Sequence, residues 1–173
     1  RIFLLEKKKR NLENFEEKRK NSVVEILRRD LRMELPPLHI EAFDNSNFQG
    51  DHAVAACVVF KNGKPSTSFY RHFNIKSVSG PDDYASMTEV VYRRYKRMLE
   101  ENQPLPQLIL IDGGKGQLES AAKSLRELGL IEKIKLISIA KKLETVFEYG
   151  DNTPLYIDKK SPSLRLLQQI RDE

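Results

Sequence analysis

The chain has 173 residues, 39% of them hydrophobic and 32% charged, with a formal net charge of +5. That length allows one domain, or one domain with an appendage. No apolar run is long enough to cross a membrane, and the positive balance suits a polyanionic partner. The first residues, Arg1-Ile2-Phe3-Leu4-Leu5 ahead of Glu6 and a Lys run, lack a signal-peptide cleavage pattern and do not begin with Met. A piece of a longer chain is therefore expected. The single cysteine, Cys57, lies inside an apolar strand pattern and is expected as a buried thiol in a reducing compartment.

From Arg1 to Leu35 the residues are strongly charged, with an apolar stripe through Leu5, Leu12, Phe15, Val23, Ile26, Leu27 and Leu31. The spacing of mostly three and four predicts one or two amphipathic helices, and Pro36-Pro37 ends them. Residues 1–37 are expected as a charged helical linker or appendage, and 38–173 as the main domain. Leu38 to Phe43 reads as its first strand, in which Ile40, Ala42 and Asp44 share one face. Asn45 to Gly50 reads as a turn-rich loop. Ala53 to Lys61 is a second strand, Asn62-Gly63 a hairpin turn, and Ser66 to Ile75 a third strand antiparallel to the second.

Gly80-Pro81-Asp82-Asp83 opens a helix, with carboxylates at its positive end. It continues through Met87, Val90, Val91, Tyr95, Met98 and Leu99 and carries Arg93, Arg94, Lys96 and Arg97. Leu108 to Ile111 is four apolar residues bounded by Pro106 and Gly113, a short strand buried on both faces. A helix from Gln117 to Leu128 follows, with Gly129 as its C-cap. Ile134 to Ala140 is a strand parallel to the preceding one across that helix. Thr145–Tyr149 and Pro154–Ile157 suggest a small hairpin. Ser161-Pro162 starts a final helix, with Ser as N-cap and Pro in the first turn. Meander first, alternating α and β later, the chain reads as α/β: a mixed sheet of three antiparallel strands plus parallel strands, with flanking helices.

Asp44 closes the first strand and Asp112 the strand after the first domain helix. If those strands are neighbours, the carboxylates lie close and repel unless a cation or a shared proton intervenes. All-oxygen ligands favour a hard ion, Mg²⁺ or Mn²⁺, and such an ion suits phosphodiester cleavage. The competing reading is helix capping, which serves Asp112 alone and fits Asp82 and Asp83 well. The stretch Asp112-Gly113-Gly114-Lys115-Gly116-Gln117 lacks phosphate-loop spacing and has no Ser or Thr after Lys115, which excludes nucleotide hydrolysis of that type. Lys115 can still meet a backbone phosphate. His39, His52 and His72 have no metal-binding spacing and are expected in surface or packing roles.

Five ordered blocks together are similar to one family. They are Phe43-Asp44-Asn45-Ser46-Asn47 with Gln49-Gly50, Gly80-Pro81-Asp82-Asp83-Tyr84-Ala85-Ser86-Met87 and Arg93-Arg94-Tyr95. Leu110-Ile111-Asp112-Gly113-Gly114-Lys115-Gly116-Gln117 and the closing Ser161-Pro162-Ser163-Leu164 with Arg171-Asp172-Glu173 complete them. From about Leu38 onward the chain resembles the C-terminal half of bacterial UvrC, the nuclease subunit of the UvrABC nucleotide-excision-repair system. The resemblance implies a ribonuclease H-like fold and a metal-dependent incision 5′ to a lesion in double-stranded DNA. Asp44 and Asp112 are the implied catalytic metal ligands for Mg²⁺ or Mn²⁺, with Asp83 also implicated. Arg93, Arg94, Lys96 and Lys115 become candidate contacts to backbone phosphates.

The same resemblance implies work with UvrB, and with UvrA upstream, in the bacterial cytoplasm. It puts the third catalytic residue, a His, two positions past Glu173, so weak or absent cutting by this chain alone is expected. The competing class is a non-cutting DNA- or partner-binding module on the same scaffold.

Overall fold

A computed structural model describes residues 1–20, 22–48, 52–75, 82–140 and 145–173. Helices α1 (Ile2–Lys20) and α2 (Val23–Asp30) come first, followed by β1 (His39–Phe48), β2 (His52–Lys61), β3 (Lys64–Pro65) and β4 (Arg71–Asn74). Then come α3 (Asp83–Glu100), β5 (Leu108–Asp112), α4 (Lys115–Glu127), β6 (Lys135–Ala140), β7 (Thr145–Glu148) and α5 (Pro162–Asp172). Among the described residues seven strands form one sheet in the order β3-β2-β1-β5-β6-β7, with β4 also paired to β2. β1 runs antiparallel to β2 but parallel to β5, and β5 is parallel to β6. The expected mixed α/β sheet is therefore present, and its centre is the β1–β5 pair.

Alternation along these central strands sorts the core into two layers, because successive side chains leave opposite faces. Phe43, Cys57, Val59, Ile109 and Ile111 pack under α3 and α4, with Tyr95, Met87 and Leu125. Ile40, Ala42, Phe60, Leu108 and Leu110 pack under α2 and α5, with Leu27, Leu31, Leu167 and Ile170. Leu108 to Ile111 is buried on both faces, as the apolar run requires.

Several expected boundaries move. The packed unit does not begin at residue 38: α2 buries Val24, Leu27 and Leu31 against the sheet and α5, while α1 leaves Ile2, Phe3, Leu4, Leu5, Leu12 and Phe15 exposed. β1 does not stop at Phe43 but continues to Phe48, because Asp44 to Phe48 find ladder partners in His52 to Ala56. Cross-strand pairing there overrides the low strand preference of Asn and Ser. The expected third strand, Ser66 to Ile75, shortens to β4, because a 3₁₀ turn occupies Thr67–Phe69. The two-residue β3 ahead of it pairs with the end of β2, Lys64 with Lys61 and Pro65 with Phe60. β7 joins the sheet on β6, and its link to the Pro154–Ile157 segment is a single bridge, Val146 to Leu155. Gln49, Gly50, Gly80 and Pro81, part of the expected loop and helix start, lie outside the described residues.

Ser161 does cap α5: its Oγ accepts from Ser163 N at 3.3 Å and donates to Asp30 Oδ2 at 2.7 Å. One hydroxyl thus fixes the start of α5 and ties it to the end of α2. Ser161→Ala is expected to cost about 1–2 kcal/mol, a cap plus one hydrogen bond to a charged group, measured as a lower urea midpoint at unchanged m-value.

Candidate active site

The parallel register of β1 and β5 pairs Phe43 with Ile111, so Asp44 and Asp112 come next on adjacent strands. They share a face with Ala42 and Leu110, the face covered by α5. Neighbouring strands lie about 5 Å apart, so both carboxylates enter the same space. That space is a cleft of about 50 Å³ lined by Asp44, Asp112, Arg171 and Glu173 over a floor that includes Ala42, Ala56, Val58 and Leu110. Asp112 Oδ2 and Arg171 Nη1 are both buried. Tyr70 OH, beside the sheet edge, donates to Glu173 Oε2 at 3.2 Å. Burial first, and then the Glu173 charge, push the Tyr70 phenol up to about 12, so it remains a donor across the neutral range.

Asp82 and Asp83 divide the tasks expected of them. Asp82 is the N-cap of α3, its Oδ1 accepting from Ala85 N at 3.0 Å. Asp83 lies in the first turn, exposed, and does not line the cleft. The start of α3 nevertheless reaches the first turn of α4. A Cβ placed on Gly116 would come within 2.6 Å of the Tyr84 ring, so Gly116 lets the two helix starts approach.

Lys115 is the first residue of α4. Its Nζ donates to the Asn152 carbonyl at 2.7 Å and sits 5.1 Å from the centre of the Phe147 ring. Arg93 bonds Glu89 at 3.2 Å and the Asn74 carbonyl at 2.8 Å. Lys96 is exposed, 5.7 Å from the Tyr92 ring centre. These α3 residues lie on the helix that covers the sheet face opposite the cleft.

Arg94 is different: its guanidinium forks onto Glu41, Nε to Oε1 at 3.1 Å and Nη2 to Oε2 at 3.0 Å. Its side chain is only 12% exposed, so it is committed to the interior rather than presented to a polyanion.

Glu41 is the residue that sequence reasoning missed. It is fully buried on the α3 side of β1. It accepts from Arg94, from Tyr95 OH at 3.0 Å, and pairs with His39 Nε2 at 2.8 Å. Burial would raise its carboxyl, but the hydrogen bonds from His39 and Arg94 and the Arg94 charge outweigh it, bringing Glu41 down to about 2. The Cys57 thiol, buried 3.8 Å from Glu41, is pushed up by burial and by that carboxylate, so it is an inert packing thiol. The available signal was a Glu between Ile40 and Ala42 in a central strand, a charge that a sheet covered on both faces can hold only if paired.

The donor set in the cleft fits a hard divalent ion. Among the described residues no three His, Cys, Asp or Glu side chains gather into a metal-binding group. Mg²⁺, however, commonly takes one or two carboxylates and completes its octahedron with water and substrate phosphate oxygens. Asp44 and Asp112 provide that pair, and the cleft volume suits an ion with a water.

A family model described as the UvrC RNase H endonuclease domain matches residues 28–173. The Flavobacterium johnsoniae UvrABC system protein C is 64% identical over 153 residues, 88% of this chain and 26% of that protein. The Porphyromonas gingivalis W83 protein of the same name is 52% identical over 171 residues, 99% of this chain and 28% of its own length. The chain spans about a quarter of the curated relatives it matches. A solved Ciona intestinalis endonuclease V bound to inosine-containing DNA is 21% identical at a TM-score of 0.45, over 76% of this chain and 59% of that one; likeness at that level adds nothing to the assignment. With a model match over most of the chain and relatives at this identity, the chain belongs to the UvrC RNase H endonuclease domain family.

Proposed function

We propose that this domain makes the metal-dependent incision 5′ to a lesion in double-stranded DNA during nucleotide excision repair, hydrolysing one phosphodiester bond. The observation that carries this reading is the convergence of Asp44 and Asp112, from adjacent parallel strands, into one small cleft. The two aspartates hold Mg²⁺ or Mn²⁺, which when bound acts as a Lewis acid toward the scissile phosphate and lowers the pKa of water. The apolar floor limits bulk water around the carboxylates and so strengthens their field. Lys115 offers an ammonium at a helix N-terminus for a backbone phosphate, exchanging its bond to the Asn152 carbonyl for a charged partner. Arg93 and Lys96 are retained as outlying phosphate contacts, and Asp83 as a residue bearing on incision through the start of α3. Arg94 is not carried forward as a phosphate contact, since its charge is spent on Glu41.

The work of the whole protein is proposed to involve UvrB, with UvrA acting earlier, in the bacterial cytoplasm. The deciding experiment uses the full-length protein with those partners, a lesion-bearing duplex, and Mg²⁺ or Mn²⁺. A nick on the 5′ side supports the reading. Lesion DNA that is bound but left intact with metal present supports the non-cutting module instead.

A further inference from the structure

The cleft contains a cation of its own. Arg171, on the last turn of α5, lines it together with Asp44, Asp112 and Glu173. The Arg171 side chain is 10% exposed, its Nε donates to Asp172 Oδ1 at 3.2 Å, and Nη1 is buried. A buried guanidinium is tolerated only beside anions. Apart from Asp172, the acidic groups at hand are the three carboxylates of the cleft. Conversely, Asp44 and Asp112 leave neighbouring strands on one face and repel each other when both are charged.

We infer that Arg171 is the resident counter-cation of the metal-free cleft: it screens Asp44 and Asp112 from each other and competes with a divalent ion for their oxygens. Arg171 is therefore a positioning residue. It keeps the two carboxylates ordered before loading, and its charge sets the metal concentration at which the cleft fills. This inference rests on the metal reading proposed above and deepens it. Position in the fold supports it. β1 and β5 fix the carboxylates from below, whereas Arg171 comes from a helix laid over them, whose start is anchored to α2 through Ser161 and Asp30. A side chain on the covering helix can yield without disturbing the strands.

The test is Mn²⁺ binding to the 173-residue chain, followed by electron paramagnetic resonance of free Mn²⁺ and by the Mn²⁺-induced rise in melting temperature. Arg171→Gln is expected to bind Mn²⁺ roughly ten- to a hundredfold more tightly than the unsubstituted chain, the scale on which a neighbouring positive charge lowers a carboxylate's affinity for another cation. Arg171→Lys, which keeps a charge but loses the planar fork, is expected to fall between. The metal-induced melting shift should be larger in Arg171→Gln than in the unsubstituted chain. A merely structural arginine would lower the melting temperature without tightening Mn²⁺ binding. If Arg171→Gln does not fold, Arg171→Met, which retains the apolar stem, replaces it.

Equal or weaker Mn²⁺ affinity in the folded variants, with clear binding by the unsubstituted chain, overturns the inference and leaves the metal reading standing. Failure of the unsubstituted chain to bind millimolar Mn²⁺ overturns both.

Discussion

Glu41→Gln is expected to lower stability by about 3–5 kcal/mol, the usual cost of removing one member of a buried charge pair. For a chain of this size that is roughly a 10 °C fall in melting temperature. The cause is specific. Arg94 keeps its charge inside the α3 layer, while the two carboxylate oxygens that met its Nε and Nη2 become an amide. Tyr95 OH and His39 lose part of the same acceptor. Glu41→Leu combined with Arg94→Met should recover part of the loss, because replacing both charges by apolar groups removes the desolvation penalty as well.

The pH dependence follows with a definite sign. Glu41 is depressed from an ordinary 4.5 to about 2, so its contribution is complete above the unfolded-state value and drains away as pH falls from about 4.5 toward 2. That is on the order of 3 kcal/mol. Urea titrations of the parent chain should lose stability steeply in that acid window. The Glu41→Gln variant should show a flatter acid limb, with the difference between the two closing as the window is crossed.

Asp112→Asn is expected to reduce metal-dependent nicking by the full-length protein on the order of 10³-fold, the scale of removing one preorganised electrostatic contact at a reacting phosphate. Stability is expected to change little, because relief of the repulsion between Asp44 and Asp112 offsets the loss of one carboxylate beside the buried Arg171 guanidinium. The Mn²⁺-induced melting shift should shrink in step with activity. Asp44→Asn should behave alike, because the two strands contribute equivalent positions. Nicking at the parental rate by a folded Asp112→Asn protein would remove Asp112 from the metal site.

The carboxylate pair was legible in the sequence because strand ends are punctuated. Asp112 stands between an apolar run and two glycines, and alternation places Asp44 with Ile40 and Ala42. What alternation does not give is the partner of an inward-facing charge. Glu41 falls on the other face by the same count, but its guanidinium lies 53 residues away on α3, beside Arg93 and Arg97. Four basic residues within five positions, Arg93, Arg94, Lys96 and Arg97, differ only in which one the α3 packing turns inward. Arg171 was visible only as one letter of the closing block, since its place over the carboxylates depends on how α5 crosses the sheet. The shortening of the third strand was hidden for a related reason: nothing in the pattern of Ser66 to Ile75 announces the 3₁₀ turn over Thr67–Phe69. The extension of β1 to Phe48 rests on the ladder to β2, which no local preference announces.

The way α5 closes the cleft bears on the order in which the domain matures during synthesis. The floor and both aspartates belong to β1, β2 and β5, but Arg171 and Glu173 come from α5. Asp44 leaves the ribosome roughly 130 residues before Arg171, an interval on the order of ten seconds at ordinary elongation rates. For roughly the last 60 residues of that stretch, after Asp112 is made, the nascent sheet carries both acids without α5 and without the Arg171 guanidinium. Docking of α5 is a long-range contact, so a chain that has not yet reached α5 has the acids without the enclosure that gives them a shaped, partly dry environment. The enclosure exists only once α5 has been made and has docked.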